Sequence, residues 1–493
     1  MKILWPVIDL DKGDNQFVGI MIMAALLRRS GHHSEVVDAG YNRVRARMLE
    51  IEPDIVAFST PSIYSRTYVE LNRRLKREFK FYSVFGGPHP TFFPELIEED
   101  GIDGVCIGEG EYPMLELVEN LSRGDPAIGI KNWWIKEGGE IHRNPLRPLI
   151  RDLDRLPLPD HGIFRRAAPR SIWQAMVLTG RGCPYGCTYC YNHAYKALYR
   201  GKGRIIRRRS VDNVIAELQT VKRQKSYRFI RFLDDLFTLD PEWVREFSVR
   251  YRREIGLPFS CLVRANHVTP EIARDLKEAG CWRVTIGLEA GDEYLRNQIL
   301  KRNMSDEEIL NACRIIKEAG LRLVTGNILG IPGGSLEADF KTLELNIRTG
   351  TDFAGVNLLQ PYPGTEIHRL AEEMGLLDCR EGGMRESTVM RISSLCFRDE
   401  KEKQMVENLE KLFPITVGFP VIRPLVRWLI KLPPNKVFYL FLSGWVNYCH
   451  YFRAIPPRVG WRTIWKRTGI YHRLARLGET LTAKLKKPLP GNA

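Results

Sequence analysis

The sequence predicts an α/β protein in three parts: a doubly wound, Rossmann-like N-terminal sheet, a partial TIM-like (β/α)6 barrel, and a helical, basic C-terminal region. Three observations predict it. Short apolar runs alternate with segments of helical spacing through the first 120 residues. The alternation resumes at Trp173 for six further units, and after them the chain turns basic and aromatic. With 493 residues, 44% hydrophobic and 10% aromatic, the chain can fill more than one core, so two or three domains are expected and disorder is not. The boundaries are expected at 1–125, 126–170, 171–375 and 376–493.

In the first part, residues 2–8 are apolar and β-prone, and 17–27 have helical spacing that ends at Ser30-Gly31. Strands follow at 34–39, 54–60, 81–85 and 104–107, the last two running into Gly86-Gly87 and Gly108-Glu109-Gly110-Glu111. Short apolar strands separated by helices indicate a parallel sheet covered on both faces. Ligands of such sheets lie over the carboxyl ends of the strands, where these Ser/Thr- and Gly-rich turns fall. No G-x-G-x-x-G opens the first helix, which weighs against a dinucleotide.

Residues 126–170 hold several prolines and Trp133-Trp134, and read as a linker packed along the surface between two domains. The second series has expected strands at 175–179, 228–233, 259–263, 283–288, 323–329 and 353–359, with helices such as 211–224, 270–279 and 306–319 between them. Six units of this size suit a partial barrel with its active groups on carboxyl-end loops. Residues 371–412 read as helical.

The net charge of +15 is unevenly placed: residues 411–493 carry fifteen Lys or Arg against one acid, Glu479. A basic appendix on a nearly neutral body does not suggest nucleic-acid binding. Residues 437–452 lack any charged side chain, which falls short of the roughly 20 apolar residues that span a bilayer. Two readings stay open: a helical cap over the barrel, or an interfacial segment with peripheral contact to anionic lipid at the inner face of a membrane. Ten cysteines, single except for one group, and no visible signal peptide point to a reducing cytoplasm.

That group is Gly180-Arg-Gly-Cys183-Pro-Tyr-Gly-Cys187-Thr-Tyr-Cys190-Tyr-Asn192, directly after the first barrel strand. Three thiolates on a short loop can wrap one corner of a cubane cluster and leave one iron open for substrate. Zinc would require a fourth Cys or His, for which His193 is near. The spacing resembles the radical S-adenosylmethionine superfamily, whose C-x3-C-x2-C signature carries an aromatic before the last Cys, here Tyr189. The resemblance implies a [4Fe-4S] cluster on Cys183, Cys187 and Cys190, S-adenosylmethionine chelated by the open iron, and a 5′-deoxyadenosyl radical. Gly287-Leu-Glu289 resembles the family's G-x-E motif at the ribose or methionine of the cofactor. Asn327-Ile-Leu-Gly330-Ile-Pro-Gly333 resembles its G-x-P-G element near the adenine. Asp235 and Arg264 stand at strand ends that face cofactor or substrate in the family.

A doubly wound domain ahead of such a barrel resembles the cobalamin-dependent class of the superfamily. The corresponding residues are Ser59 and Thr60 after the third strand, Gly86 and Gly87 after the fourth, and Gly108 and Glu109 after the fifth, with Tyr64 near the cobalt. The histidine-supplying D-x-H-x-x-G motif is absent, and His89 reads as a surface or tail-contacting residue. Only Cys106 precedes Cys183, which excludes the methylthio-transferring enzymes with a second cluster. The resemblance implies methyl transfer from methylcobalamin to an unactivated carbon, the alternatives being oxidative cyclisation or rearrangement, or a non-catalytic membrane-associated scaffold. A small-molecule substrate and an electron donor such as flavodoxin or ferredoxin are the expected partners, and the interfacial reading of the C-terminal region would suit a lipophilic substrate.

Overall fold

The computed structural model describes residues 1–10, 16–169, 173–377, 393–397 and 399–433, together with Phe438 and Trp445. The chain opens with β1 (Lys2–Val7), α1 (Val18–Arg29), β2 (His33–Asp38), α2 (Tyr41–Ile51), β3 (Ile55–Ser59) and α3 (Ser65–Lys76). β4 (Tyr82–Gly86), α4 (Pro88–Phe92), β5 (Gly104–Cys106) and α5 (Glu111–Arg123) follow. The five strands pair in parallel in the order β2-β1-β3-β4-β5, so the order reverses between β1 and β3 and leaves a crevice above their carboxyl ends. The central strands β1 and β3 are apolar on both faces: Ile3 and Ala57 pack under α1 and α5, while Leu4, Val56 and Phe58 pack under α2 and α3.

The 126–170 segment differs from the irregular linker expected there. β6 (Trp133–Glu137) and β7 (Glu140–Arg143) extend the same sheet antiparallel beyond β5. The cause is local: Trp133 and Ile135 point one way into the core, and the Gly138-Gly139 turn, both residues at positive φ, folds the strand back. After α6 (Gly162–Ala167) the chain enters the second sheet.

That sheet is built from β8 (Gln174–Val177), β11 (Phe229–Phe232), β12 (Phe259–Val263), β13 (Cys281–Glu289), β14 (Arg322–Leu329) and β15 (Phe353–Leu358), all parallel and in sequence order, an open partial barrel as expected. A small antiparallel pair, β9 (Gly180–Arg181) with β10 (Arg207–Arg208), stands beside β8 and had no signal in the strand pattern. The intervening helices are α7 (Tyr191–Leu198), α8 (Val211–Arg223), α9 (Pro241–Glu254), α10 (Pro270–Ala279), α11 (Asp306–Glu318) and α12 (Leu336–Thr349). Their starts are fixed by side-chain caps: Thr269 bonds the Ile272 amide ahead of α10, and Ser305 with Glu308 forms a capping box on α11. Ile230, Phe232, Cys261, Val263, Val284 and Ile286 lie under these helices in the main core. By strand alternation Leu233, Leu262, Arg264, Thr285, Gly287 and Glu289 turn to the concave side.

The expected continuous helix over 371–412 is instead α13 (Glu366–Glu373) and α14 (Glu400–Gly418), with 378–392 outside the described residues. α14 covers the β15 edge, placing Val406, Leu409 and Phe413 on Leu329, Ala354 and Leu358. α15 (Arg423–Leu429) follows. The charge-free stretch at 437–452 and the tail to 493 lie outside the described residues except for Phe438 and Trp445. The two sheets meet where Val18 and Ile22 of α1 pack on Met176, Leu178 and Leu233.

Candidate active site between the two sheets

A cavity of about 510 Å³ opens at this junction. One wall is the carboxyl ends of the first sheet, with Ser59, Gly86, Gly87, Gly108 and Glu109 at its rim and Trp5, Phe58 and Met114 below. The other wall is the start of the barrel: Gly180, Arg181, Asn192, Tyr195, Arg207 and Asp235. Gly87 sits at φ +95, and a Cβ there would come within 3.0 Å of the Thr60 amide and 3.4 Å of the Ser59 hydroxyl. The glycine thus lets the turn after β4 lie close against the Ser59-Thr60 turn at the rim. Gly108 is required for another reason, since a side chain would collide with the Tyr199 hydroxyl from the barrel side.

Two residues expected at this crevice are placed otherwise. Thr60 is fully buried, its hydroxyl donating to the Phe58 carbonyl at 3.3 Å and its amide to Gly86, so it locks the turn without lining the cavity. Tyr64 ends a short 3-10 turn and packs against the core beneath α3. Glu109 lines the cavity, but its carboxylate is committed within the protein. It accepts from Arg181 Nη1 at 2.6 Å, Arg207 Nη1 at 2.8 Å and the Ile150 amide at 2.8 Å. Burial would raise its pKa, yet the two guanidinium groups outweigh this and hold it below the usual carboxylate range. Arg181 also pairs with Glu111.

Cys183, Cys187 and Cys190 occupy the turn between β9 and α7, with Cys190 as the N-cap of α7. Gly182, at φ +86, has no room for a side chain against the Ile205 carbonyl, which sets the entry to the turn. The Asn192 amide donates to Cys190 Sγ at 3.5 Å. Arg302 Nη1 lies 3.6 Å and Arg264 Nη1 3.8 Å from Cys187 Sγ. Among the described residues no three His, Cys, Asp or Glu side chains converge as they would on one ion. His193 is not a fourth ligand in waiting: its Nε2 accepts from the Glu366 amide at 3.0 Å and its Nδ1 meets the Cys187 carbonyl at 3.2 Å.

Above the turn, the Tyr189 hydroxyl donates to Glu289 Oε1 at 2.9 Å. Glu289 is held at φ +68, where the register between β13 and β14 shifts at the carboxyl end of the strand. Burial pushes its carboxyl pKa up, opposed by Arg302 and the tyrosine hydrogen bond. At Gly287 any Cβ would collide with Glu289 Oε1, and the Gly287 carbonyl accepts from Arg302 Nη2. Arg264 stacks over the Tyr185 ring at 3.6 Å and donates to Asn266 at 3.0 Å and to the Arg302 carbonyl. Gly330, at φ +68, donates its amide to Asp339 at 3.2 Å.

The strand-end pair Asp234-Asp235 divides its labour. Asp234 is buried and accepts from the Thr179 amide and, at 2.6 Å, from the Thr179 hydroxyl, which ties β11 to the strand before the cysteine turn. Asp235 opens onto the cavity, and the surrounding protein pushes its carboxyl pKa up. Asn327 does not face the concave side. Its amide bonds Asn346 of α12 in both directions, at 3.2 and 2.7 Å, and donates to the Gly355 carbonyl at 2.9 Å. Strand alternation puts it with Thr325 and Leu329 under the helix layer, and leaves Gly326 and Ile328 facing inward.

Arg181, Arg207 and Arg302 were not singled out from the sequence. Arg181 lies two residues before Cys183 and was open to notice; Arg207 and Arg302 reach the site only through folding.

The family description of the radical SAM superfamily matches residues 177–345, and that of the B12 binding domain matches residues 5–118. The protein is therefore a radical S-adenosylmethionine enzyme. The first match covers the cysteine turn and the barrel from there through β14, and the second covers the parallel part of the sheet beneath the cavity. The chain belongs to the cobalamin-dependent radical S-adenosylmethionine enzymes, whose cofactors are a [4Fe-4S] cluster, S-adenosylmethionine and cobalamin.

An uncharacterized methyltransferase of Pyrococcus horikoshii is 29% identical over 377 residues, 73% of this chain and 79% of its own. An anaerobic magnesium-protoporphyrin IX monomethyl ester cyclase of Rubrivivax gelatinosus is 26% identical over 389 residues, covering 73% of this chain and 67% of its own. Among solved structures, the cobalamin-dependent radical enzyme OxsB aligns with a TM-score of 0.70 at 17% identity, over 99% of this chain and 82% of its own. The radical S-adenosylmethionine methyltransferase TsrM from Kitasatospora setae aligns at 0.62 and 18%, over 76% of each chain. At these identities the structural likenesses speak for the fold.

Proposed function

We propose that the protein is a cobalamin-dependent radical methyltransferase that places a methyl group on an unactivated carbon of a small molecule. One observation carries this reading: a single cavity has the strand ends of the B12-type sheet on one wall and Asn192 and Asp235, neighbours of the cysteine turn, on the other. Such a shared space lets a radical centre and a methyl donor reach one substrate atom. When bound, the cluster and S-adenosylmethionine supply the 5′-deoxyadenosyl radical, and cobalamin supplies the methyl group.

The chain's own residues hold and exclude. Cys183, Cys187 and Cys190 would hold the cluster. Glu289, bonded by Tyr189 and held at φ +68, would accept hydrogen bonds from S-adenosylmethionine, with the Gly287 and Gly330 backbones alongside. Ser59 and the Gly86-Gly87 turn would receive cobalamin, and the apolar floor of Trp5, Phe58 and Met114 keeps water from its buried face. Leu262, accessible on the concave side, suits a substrate with an apolar part. Flavodoxin or ferredoxin would deliver the electron in the cytoplasm.

The test is product analysis with anaerobically reconstituted protein. Methyl transfer yields S-adenosylhomocysteine together with 5′-deoxyadenosine, whereas cyclisation or rearrangement yields 5′-deoxyadenosine alone. The cyclase relative makes the second outcome the competing one. A protein that retains no iron or sulfide after reconstitution would defeat both.

A further inference from the structure

α15 packs Val426 into the core, ties its flank to the barrel through two arginines, and leaves Leu425 and Trp428 exposed. Arg423 Nη1 donates to Glu344 at 2.6 Å, and Arg427 grips both oxygens of Glu337 at 2.9 and 3.0 Å, both acids lying on α12. Val426 and Ile430 fill the core beneath. What remains on the outside is Phe419, Val421, Leu425 and Trp428, exposed by 46%, 84%, 60% and 62%.

Single exposed hydrophobic residues need no explanation, but four within ten positions form a patch. Leu425 and Trp428 are three positions apart on α15 and so neighbour each other on its surface, and Val421 lies in the 3-10 turn just before it. A helix of seven residues would not persist by itself in water. Here its flank is pinned to α12, so the exposed pair is held in place.

Charge selects the occupant. Lys431 is exposed beside the patch, and residues 434–493 add eleven Lys or Arg against Glu479 alone. A second copy would carry the same excess of cations and be repelled by it. An anionic lipid surface accepts both parts, since indole and phenyl rings settle at headgroup depth and each Lys or Arg near the surface contributes ~1 kcal/mol. We propose that α15 is the face by which this protein rests on an anionic membrane surface, with Val421, Leu425 and Trp428 entering the headgroup boundary. This needs no spanning segment, and no described helix is long and apolar enough to be one. It is independent of the chemistry at the cavity, 419–428 being remote in sequence from every residue of that site.

The experiment is flotation of the full, cofactor-loaded chain with vesicles of phosphatidylcholine alone or mixed with phosphatidylserine. The parent should float with the mixed vesicles and release on added salt. The double variant Leu425→Asp, Trp428→Asp should lose about tenfold in partitioning, which corresponds to roughly 1.4 kcal/mol. Arg423 and Arg427 are left in place, and unchanged iron content and cobalamin absorbance establish that the variant is folded; Val421→Asp repeats the test at a separate position. The proposal is overturned if the parent stays soluble with both vesicles, or if the variants float as well as the parent. It is equally overturned if the parent sediments as a dimer that the variants abolish, because the patch then belongs to a second copy.

Discussion

Arg181 Nη1 lies 2.6 Å from Glu109 Oε1, joining the cysteine turn of the barrel to the last glycine-rich turn of the N-terminal sheet. The same arginine pairs with Glu111, and Arg207 donates to Glu109 from the other side. All four side chains are largely withdrawn from solvent, so the cluster fixes how the two cofactor walls face each other.

Breaking that contact leaves a buried charge without its partner. Glu109→Gln and Arg181→Gln are each expected to cost about 3 kcal/mol of stability. The double variant should lose clearly less than the sum, since both changes remove one interaction. Denaturant unfolding of the four proteins measures the coupling. Additive losses would mean that the pair does not hold the junction.

The two guanidinium groups beside Cys187 make a second prediction. Positive charge and N–H donors at a cluster thiolate favour the more negative, reduced state. Arg302→Gln should therefore shift the cluster's midpoint potential downward with iron content unchanged. Potentiometric titration followed by electron paramagnetic resonance reads this directly. An unchanged potential with weakened S-adenosylmethionine binding would instead make Arg302 a cofactor contact.

Asn327→Ala separates the helix layer from the cofactor face. It should lower stability by about 1–3 kcal/mol, because the Asn346 amide loses a buried partner. Affinity for S-adenosylmethionine should stay near the parent's, whereas Glu289→Gln should weaken it about tenfold through one charge-assisted hydrogen bond. Equilibrium binding to the two variants decides between the faces.

Asp339 gives a pH dependence. Burial pushes its carboxyl up to about 8, with Gly330 opposing and Glu402 adding to the rise. The folded chain therefore keeps a proton that the unfolded chain gives up near its ordinary range of about 4. Its contribution to stability is full below about 4 and is lost as pH climbs toward 8. Asp339→Asn keeps an acceptor for the Gly330 amide without the charge. Its melting temperature should gain on the parent's as pH rises from 5 to about 8, and parallel curves would refute the assignment.

Much of this was open to inspection in the sequence. The six barrel strands were placed to within two residues at every end, because period-two apolar runs bounded by glycine and helix caps are local signals. Gly287 and Glu289 were identified together since their motif is contiguous. β6 and β7 were missed because proline and glycine around them read as loop, while the pairing partner lies on a strand already spoken for. Asn327 was assigned to the cofactor for its motif alone, although its alternation with Thr325 and Leu329 points the other way.

The sequence by itself determined the cysteine turn, the two α/β layers and hence the cofactor class, since each rests on spacing within a few residues. Only the tertiary structure decided that Glu109 serves Arg181 and Arg207, that two arginines converge on Cys187, and that Leu425 and Trp428 stay exposed on α15. The physical reason is the same in each case. A charge takes its partner from whatever burial brings close, and that partner can stand a hundred residues away on another element.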